Sequence, residues 1–107
     1  MEDVHQQELR RGTVVLGCLL VLQTPEYGYQ LLESLNRSGI DVDGNTLYPL
    51  LRRLEKQGLL SSDWNTDEPR PRKYYETTEE GRATAQRLLT EWQRLNRTLA
   101  ALAKGHS

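Results

Sequence analysis

The clearest periodic pattern in the chain lies between Asp43 and Leu60, where leucines recur at positions i, i+3, i+4 and i+7. This spacing places them on one face of an α-helix. Asp43 or Asn45 can cap its start, and Gly58 is a typical residue after a last turn. Pro49 is expected near the first turn, where its missing N–H removes at most about one intrahelical hydrogen bond. The pattern predicts a short helix that buries Leu47, Leu50, Leu51 and Leu54.

The other face of this helix is polar and carries amide, hydroxyl, aromatic and guanidinium groups. Such groups contact base edges and phosphates when a recognition helix enters the major groove of DNA. The alternative is an ordinary core helix whose charged face is simply solvated. Tyr48 is expected opposite the leucine face. The candidate DNA contacts on the helix are Asn45, Thr46, Tyr48, Pro49, Arg52 and Arg53.

Two strand-like segments follow the helix. Residues 59–64 alternate loosely, residues 73–77 form the return strand, and the loop between them contains two prolines. Helix, strand, basic loop and strand is the order of a winged helix-turn-helix. The basic residues at the end of the loop and the start of the return strand are further candidates for DNA contact, although Asp67 and Glu68 could simply neutralise the loop. These residues are Arg70, Arg72 and Lys73.

The segment before this unit predicts two more helices. Residues 3–23 lead from polar positions into a run, Val14–Leu22, that is apolar on almost every side. Such a helix must be covered all round, which indicates a second subunit. A second helix is expected over about residues 26–36, and residues 40–42 could add a short extended piece.

The last helix is the longest, from about Thr78 to Ala103, and Thr78 can cap it. Its apolar residues step by four, three, four and three, which is a heptad seam. About 25 residues extend ~37 Å, more than so small a domain can cover. We therefore predict a homodimer in which this helix packs on the partner. The interface residues would be Leu88, Trp92, Leu95, Leu99 and Leu102.

Composition narrows the class of protein. The 107 residues suffice for one small domain, and no apolar run reaches membrane-span length. The first residues lack a charged-then-apolar pattern, so we expect no signal peptide. The net charge of −1 requires any nucleic-acid binding to come from local patches. The single cysteine, Cys18, fits a reducing compartment, so a cytoplasmic protein is expected.

Catalytic and metal sites have little support in the sequence. The histidines, His5 and His106, stand at the two ends, and no phosphate-binding glycine loop or Cys/His cluster is present. We expect no enzymatic activity and no cofactor. His5 and Glu8 are spaced i, i+3 and could share a metal, but no third ligand accompanies them.

Several motifs carry a family resemblance. The run from Gly44 to Leu60 resembles the central signature of PadR-type bacterial transcriptional regulators. So do Tyr27–Tyr29 upstream, Pro71–Tyr75, and Thr78–Gly81 downstream, in the expected order and over nearly the whole chain. The resemblance implies a repressor that binds a pseudo-palindromic DNA operator.

The resemblance also implies an effector site. Members of a small PadR subfamily bind flat hydrophobic compounds between paired tryptophans of the dimer helices, the position that Trp92 would occupy. The alternative is that Trp92 is only interface core. Asn96 is neutral, so a preference for cationic compounds does not follow. The candidate pocket comprises Trp92, Leu88, Leu95, Asn96, Val14 and Cys18.

Together these patterns predict a mainly α protein with a small β-wing. Residues 1–77 would form a winged helix-turn-helix and residues 78–107 the dimerisation helix. The predicted function is a homodimeric repressor whose affinity for double-stranded DNA responds to an effector. The alternatives are a metal-responsive regulator of the same fold and a winged-helix module that docks a protein instead of DNA.

Overall fold

The computed structural model describes residues 3–105, and within that range the chain forms four α-helices and three β-strands. His106, like Met1, Glu2 and Ser107, lies outside the described residues. The mainly α fold with a small β-wing is confirmed. In chain order the elements are α1 (Val4–Val21), β1 (Glu26–Tyr27), α2 (Gly28–Arg37), α3 (Gly44–Lys56), β2 (Leu60–Asn65), β3 (Arg72–Thr77) and α4 (Glu79–Ala103).

α1 changes from polar to apolar along its length. It begins with a capping box in which the Asp3 carboxylate accepts from Gln6 N and the Gln6 side chain accepts from Asp3 N. Its first half is exposed, and its buried residues lie between Val14 and Leu19. The apolar run is therefore largely covered by the protomer itself, and Leu20 alone within it remains 39% exposed.

β1 is an element that periodicity did not predict. Residues 26 and 27 were expected at the start of the second helix, but they are extended and pair with β3, with Glu26 opposite Tyr75 and Tyr27 opposite Tyr74. Two residues are too few to show a period. The helix begins at Gly28, two residues later than expected, and Gln30 Oε1 accepts from Tyr27 N at 2.8 Å at its start.

The three strands form one antiparallel sheet in the order β1-β3-β2. β2 and β3 pair from Leu60 opposite Thr77 to Asn65 opposite Arg72, so residues 66–71 form the loop at the end of the hairpin. Both strands and the loop lie within one residue of the bounds that the sequence predicted. Residues 40–42, by contrast, are not part of a strand.

The end of β3 joins the sheet to the helices on either side. Thr77 is buried; its Oγ1 donates to Leu19 O at 2.7 Å and its backbone N–H donates to Leu22 O at 2.8 Å. Thr78 caps α4 by accepting from Gly81 N at 3.0 Å. A Cβ at Gly81 would collide with Leu59 O, so only glycine permits this close approach.

α4 shares the core only at its beginning. Gly81 and Ala85 are buried, Leu89 is partly buried against the core, and every described residue from Glu91 onward is exposed. The remainder projects from the winged unit and contributes to overall dimensions of 59 × 34 × 21 Å. No helix within residues 3–105 combines the length and apolarity needed to cross a lipid bilayer.

Candidate nucleic-acid interface

α3 starts with a side-chain cap. Asp43 has an extended backbone, and its carboxylate accepts from Thr46 N at 2.9 Å. Pro49 is the sixth residue of the helix, so its expected place in the first turn was wrong by one turn. Because proline has no N–H, the usual bond to the Asn45 carbonyl cannot form. That oxygen can accept from a donor outside the helix.

The two faces of α3 differ sharply in burial. The four leucines of the predicted stripe are between 0% and 8% exposed and belong to the core, as the periodicity predicted. The side chains of Arg52 and Arg53 have no hydrogen-bond or ion-pair partner among residues 3–105. Two guanidinium groups are therefore available to an external ligand. The exposed residues of this face are Asn45, Thr46, Pro49, Arg52, Arg53 and Lys56.

Tyr48 does not lie opposite the leucines, so that expectation was wrong. The residue is half-buried and packs against the core, with its ring between Gly28 at the start of α2 and Gly44 at the start of α3. A Cβ at Gly28 would lie 2.7 Å from Tyr48 Cε1. At 100° per residue, Tyr48 falls at the border of the stripe, which explains its partial burial. Its part in DNA contact stays a prediction.

The basic residues of the wing occupy different environments. Arg70 is exposed in the loop, and its side chain has no partner within residues 3–105. Arg72 Nη1 donates to the hydroxyl of Tyr29 at 3.1 Å, and Arg72 Nε lies 3.6 Å from Glu68. Lys73 Nζ lies 3.5 Å from Glu55 and 5.5 Å from the centre of the Tyr75 ring. Of the three candidates, Arg70 is the one whose charge is not engaged by the described chain.

A groove opens beside α3, between the first half of α1 and the segment that precedes α3. Its volume is about 710 Å³, and Thr46, Pro49 and Arg53 line the α3 side. Arg10 and Arg11 line the opposite side, and Arg10 Nη1 donates to Asp41 O at 3.3 Å. The groove therefore extends the basic surface of α3 toward α1, with Asp41 and Asp43 as acidic neighbours.

The seam predicted on α4 is an exposed apolar stripe in the protomer. Its five residues are between 41% and 60% exposed, and Trp92 is 50% exposed. Asn96 is also exposed. The other side of the helix is polar, and Arg94 Nε donates to Glu91 Oε1 at 2.6 Å, which lowers the pKa of Glu91. The stripe consists of Leu88, Trp92, Leu95, Leu99 and Leu102.

Two residues expected in the effector pocket lie elsewhere. Cys18 is fully buried in the protomer core, and burial raises the pKa of its thiol to about 12. Val14 is 6% exposed and lines the groove beside α3. Gly17, their neighbour on α1, packs against Leu35 and Ile40. The apolar run of α1 faces the protomer's own core, so Val14 and Cys18 do not join Trp92 on its surface.

His5 and Glu8 are exposed on α1. Within residues 3–105, no group of three or more His, Cys, Asp or Glu side chains is arranged to hold a metal ion. A metal site at this pair would need further ligands from outside the described chain.

Sequence reasoning also missed a role for Tyr27, Tyr29 and Asn65. Tyr27 and Tyr29 belong to a motif that is visible in the sequence, but their hydroxyl groups bind wing residues that are 38 and 43 positions away. Local patterns cannot show partners at that distance.

Comparison with protein families gives a match over most of the chain. The family described as the transcriptional regulator PadR-like family matches residues 15–87, from the apolar half of α1 into α4. The matched range includes α3 and the wing.

Individual relatives agree with that match. The transcriptional regulator Rv3488 of Mycobacterium tuberculosis is 42% identical over 95 residues, which cover 88% of this chain and 85% of the relative. The crystal structure of a PadR-family transcriptional regulator from Eggerthella lenta is 46% identical, with a TM-score of 0.87 over 92% of this chain and 88% of the other. A PadR-like transcription factor from Bacteroides fragilis is 32% identical, with a TM-score of 0.77 over 94% and 99%.

Proposed function

Since the chain belongs to the PadR-like family of transcriptional regulators, we propose that it is a homodimeric repressor that binds a pseudo-palindromic DNA operator. The observation that carries the proposal is the exposed face of α3, where Arg52 and Arg53 have no partner within residues 3–105. A helix held by its leucines and presenting such a face matches the recognition helix of a helix-turn-helix, which enters the major groove.

The proposed contacts divide into two kinds. Asn45, Thr46, Arg52 and Arg53 would meet base edges and nearby phosphates, because amide, hydroxyl and guanidinium groups match the donors and acceptors of the major groove. Arg70 would contact the phosphate backbone beside the groove, since it stands in the wing loop with an unengaged charge. The net charge of −1 makes these local groups decisive.

The proposed homodimer is supported by the apolar stripe of α4. Exposed apolar residues at heptad spacing on a projecting helix are a typical association surface. A symmetric pair would present two α3 helices, and a palindromic operator would match that symmetry.

We also propose that a flat aromatic effector binds at Trp92. The half-exposed indole, flanked by Leu88, Leu95 and Asn96, would meet its symmetry mate in a dimer formed through the stripe. A planar compound between two indoles would gain ~0.5–1.5 kcal/mol per stacked ring beyond area burial. Because binding energies are reciprocal, such a ligand would also change the affinity for DNA.

The DNA half of the proposal is tested by mobility shift with the DNA upstream of the protein's own gene. A fragment that is retarded at about 10 nM protein or below, and that outcompetes a random duplex of equal length, supports a specific operator. Equal affinity for both duplexes contradicts a specific operator in this fragment. No retardation of either duplex contradicts DNA binding and favours a module that docks a protein.

The proposed effector site at Trp92 is tested by tryptophan fluorescence, with the second tryptophan of the chain as a control. Planar aromatic dyes should quench the fluorescence of the wild type, and Trp92→Ala should abolish saturable binding while Trp64 remains as an emitter. The same dyes should change the mobility shift of the wild type. If Trp92→Ala binds the dyes with wild-type affinity, Trp92 is interface packing and the proposed site is wrong.

A further inference from the structure

The two residues that close the wing loop are both held by one short segment of the chain. Asn65 and Arg72 stand opposite each other at the end of the β2–β3 hairpin. Asn65 Nδ2 donates to the hydroxyl of Tyr27 at 2.6 Å, and Arg72 Nη1 donates to the hydroxyl of Tyr29 at 3.1 Å. Each strand of the hairpin is thus hydrogen-bonded to a tyrosine next to Gly28.

The tyrosine rings add a second attraction for Arg72. The rings of Tyr27 and Tyr29 are stacked, with centroids 5.9 Å apart and planes 9° apart. The guanidinium carbon of Arg72 lies 5.2 Å from the centre of the Tyr29 ring and 5.9 Å from that of Tyr27. A guanidinium group at that distance is attracted by the ring quadrupoles. Its remaining close charge is Glu68, at 3.6 Å, so the described chain already engages Arg72.

The same segment also contacts the candidate recognition helix. Gly28 lies between the two tyrosines and directly against the ring of Tyr48 in α3, where a Cβ would come within 2.7 Å. Residues 27–29 therefore bridge the wing loop and α3. A shift of this segment would change the position of the wing relative to α3.

Arg70 differs from Arg72 in its side-chain contacts. It has the same charge and stands two residues before Arg72, in the wing loop, and both residues are exposed. Arg70, however, has no side-chain partner within residues 3–105. One arginine is bound to the protein body and the other is available to a ligand.

We propose that Tyr27, Tyr29 and Arg72 form a joint that positions the wing relative to α3, and that Arg70, in place of Arg72, carries the wing's contact with DNA phosphate. Arg72 is then a positioning residue. A wing held at both strands meets DNA already ordered, so less conformational freedom is lost on binding. The DNA part rests on the proposed function, whereas the joint does not.

The joint is tested without DNA, by hydrogen–deuterium exchange of the full-length chain. Arg72→Ala, Tyr29→Phe and Tyr27→Phe should each speed exchange of the backbone amides at residues 63–73, by about threefold to tenfold. The phenylalanine variants keep the rings and lose only the hydroxyls. Arg70→Ala is the matched control and should leave these amides at wild-type rates. Equal exchange in Arg70→Ala and Arg72→Ala, or no change in either phenylalanine variant, overturns the joint.

The conservative variant Arg72→Lys separates positioning from charge. Lysine keeps the positive charge but lacks the planar guanidinium that donates and stacks. A positioning role predicts that Arg72→Lys exchanges as fast as Arg72→Ala. Exchange at the wild-type rate in Arg72→Lys would show that charge alone suffices and would overturn the stacked joint.

The different roles proposed for Arg70 and Arg72 are tested by the salt dependence of DNA binding. Binding is measured with the DNA fragment from upstream of the protein's own gene and with a random duplex. Arg70→Ala should lower the slope of log affinity against log salt by about one unit for each phosphate that the variant no longer neutralises. Arg72→Ala should weaken binding about threefold to tenfold with the wild-type slope. A slope lowered by Arg72→Ala as much as by Arg70→Ala overturns the assignment.

A double variant completes the test. If Arg72 and Tyr29 act through one joint, Arg72→Ala combined with Tyr29→Phe should bind DNA about as well as Arg72→Ala alone. If the double variant lowered DNA affinity by the product of the two single effects, Arg72 and Tyr29 would have independent roles, which would overturn the proposal. If the wild type binds neither duplex, the proposed function fails, and the exchange experiments still decide the joint.

Discussion

α3 and α4 carry the same kind of apolar stripe with opposite outcomes. The four leucines of α3 are at most 8% exposed, whereas the five stripe residues of α4 are at least 41% exposed. Both helices are capped at their start by a side chain, Asp43 in one and Thr78 in the other. The spacing of apolar residues therefore predicts that one face of the helix will be buried. It does not show whether the same chain or a second chain buries that face.

The cause of the difference is position. α3 lies within the winged unit, where its leucines share one core with residues of α1, α2 and β2. α4 enters that core only through Gly81, Ala85 and Leu89, and then extends past it. An apolar face that the protomer itself buries contributes to folding, and an apolar face that stays exposed is available for association.

The largest expected effect comes from charging the α4 stripe. Leu95→Asp with Leu99→Asp would place unpaired carboxylates in the proposed interface, at roughly 3–5 kcal/mol for each one buried. Light scattering at micromolar concentration should find a dimer for the wild type and a monomer for the variant. Gln93→Asp with Ala100→Asp is the matched control, because at 100° per residue both lie roughly 120–140° from the centre of the stripe, outside the proposed interface. A monomeric wild type would contradict the proposed dimer.

A cavity in the α3 stripe should instead weaken the protomer. In the monomeric background of the first prediction, Leu51→Ala should lower the free energy of unfolding by about 2–5 kcal/mol, since Leu51 is fully buried. Leu102→Ala, the same substitution at a residue that is 55% exposed, should change it by less than about 0.5 kcal/mol. Urea unfolding followed by circular dichroism measures both. Similar losses of unfolding free energy in the two variants would mean that the α3 and α4 stripes contribute equally to the stability of the protomer, which would contradict the comparison.

The polar faces of the two helices should differ in DNA binding. Arg53→Ala should weaken operator affinity by ~1–3 kcal/mol if the side chain contacts a base. Arg97→Ala removes the same exposed charge from α4 and should change affinity by less than about 0.5 kcal/mol. Mobility shift at a fixed salt concentration compares the two. Equal losses would point to a general effect of charge.

The smallest expected effect concerns the two caps. Asp43→Ala should destabilise the protein by about 1 kcal/mol, because Thr46 N loses its side-chain acceptor and keeps only the Asp43 carbonyl oxygen at 3.2 Å. Asp43→Asn should restore most of this stability. Thr78→Ala should cost about 1–2 kcal/mol, because Thr78 Oγ1 also donates to Gly58 O at 2.7 Å. Thermal unfolding measures both variants. A smaller loss for Thr78→Ala than for Asp43→Ala would show that the bond to Gly58 adds nothing.

Much of the fold follows from local sequence. The leucine spacing in α3, the heptad spacing in α4 and the proline-containing loop of the wing each predict their element, because helix and strand periods act over a few residues. Most of the exposed face of α3 follows for the same reason, since residues far from the stripe point away from the core.

Only the tertiary structure decided how these elements meet. Tyr48 is half-buried because Gly28 of α2 provides a place for its ring, and Cys18 faces the core, not an interface. Arg70 and Arg72 are equivalent in sequence, but the hydroxyl and ring of Tyr29 distinguish them. These differences depend on contacts between residues far apart in the chain, and a periodic pattern contains no information about which distant side chain will complete them.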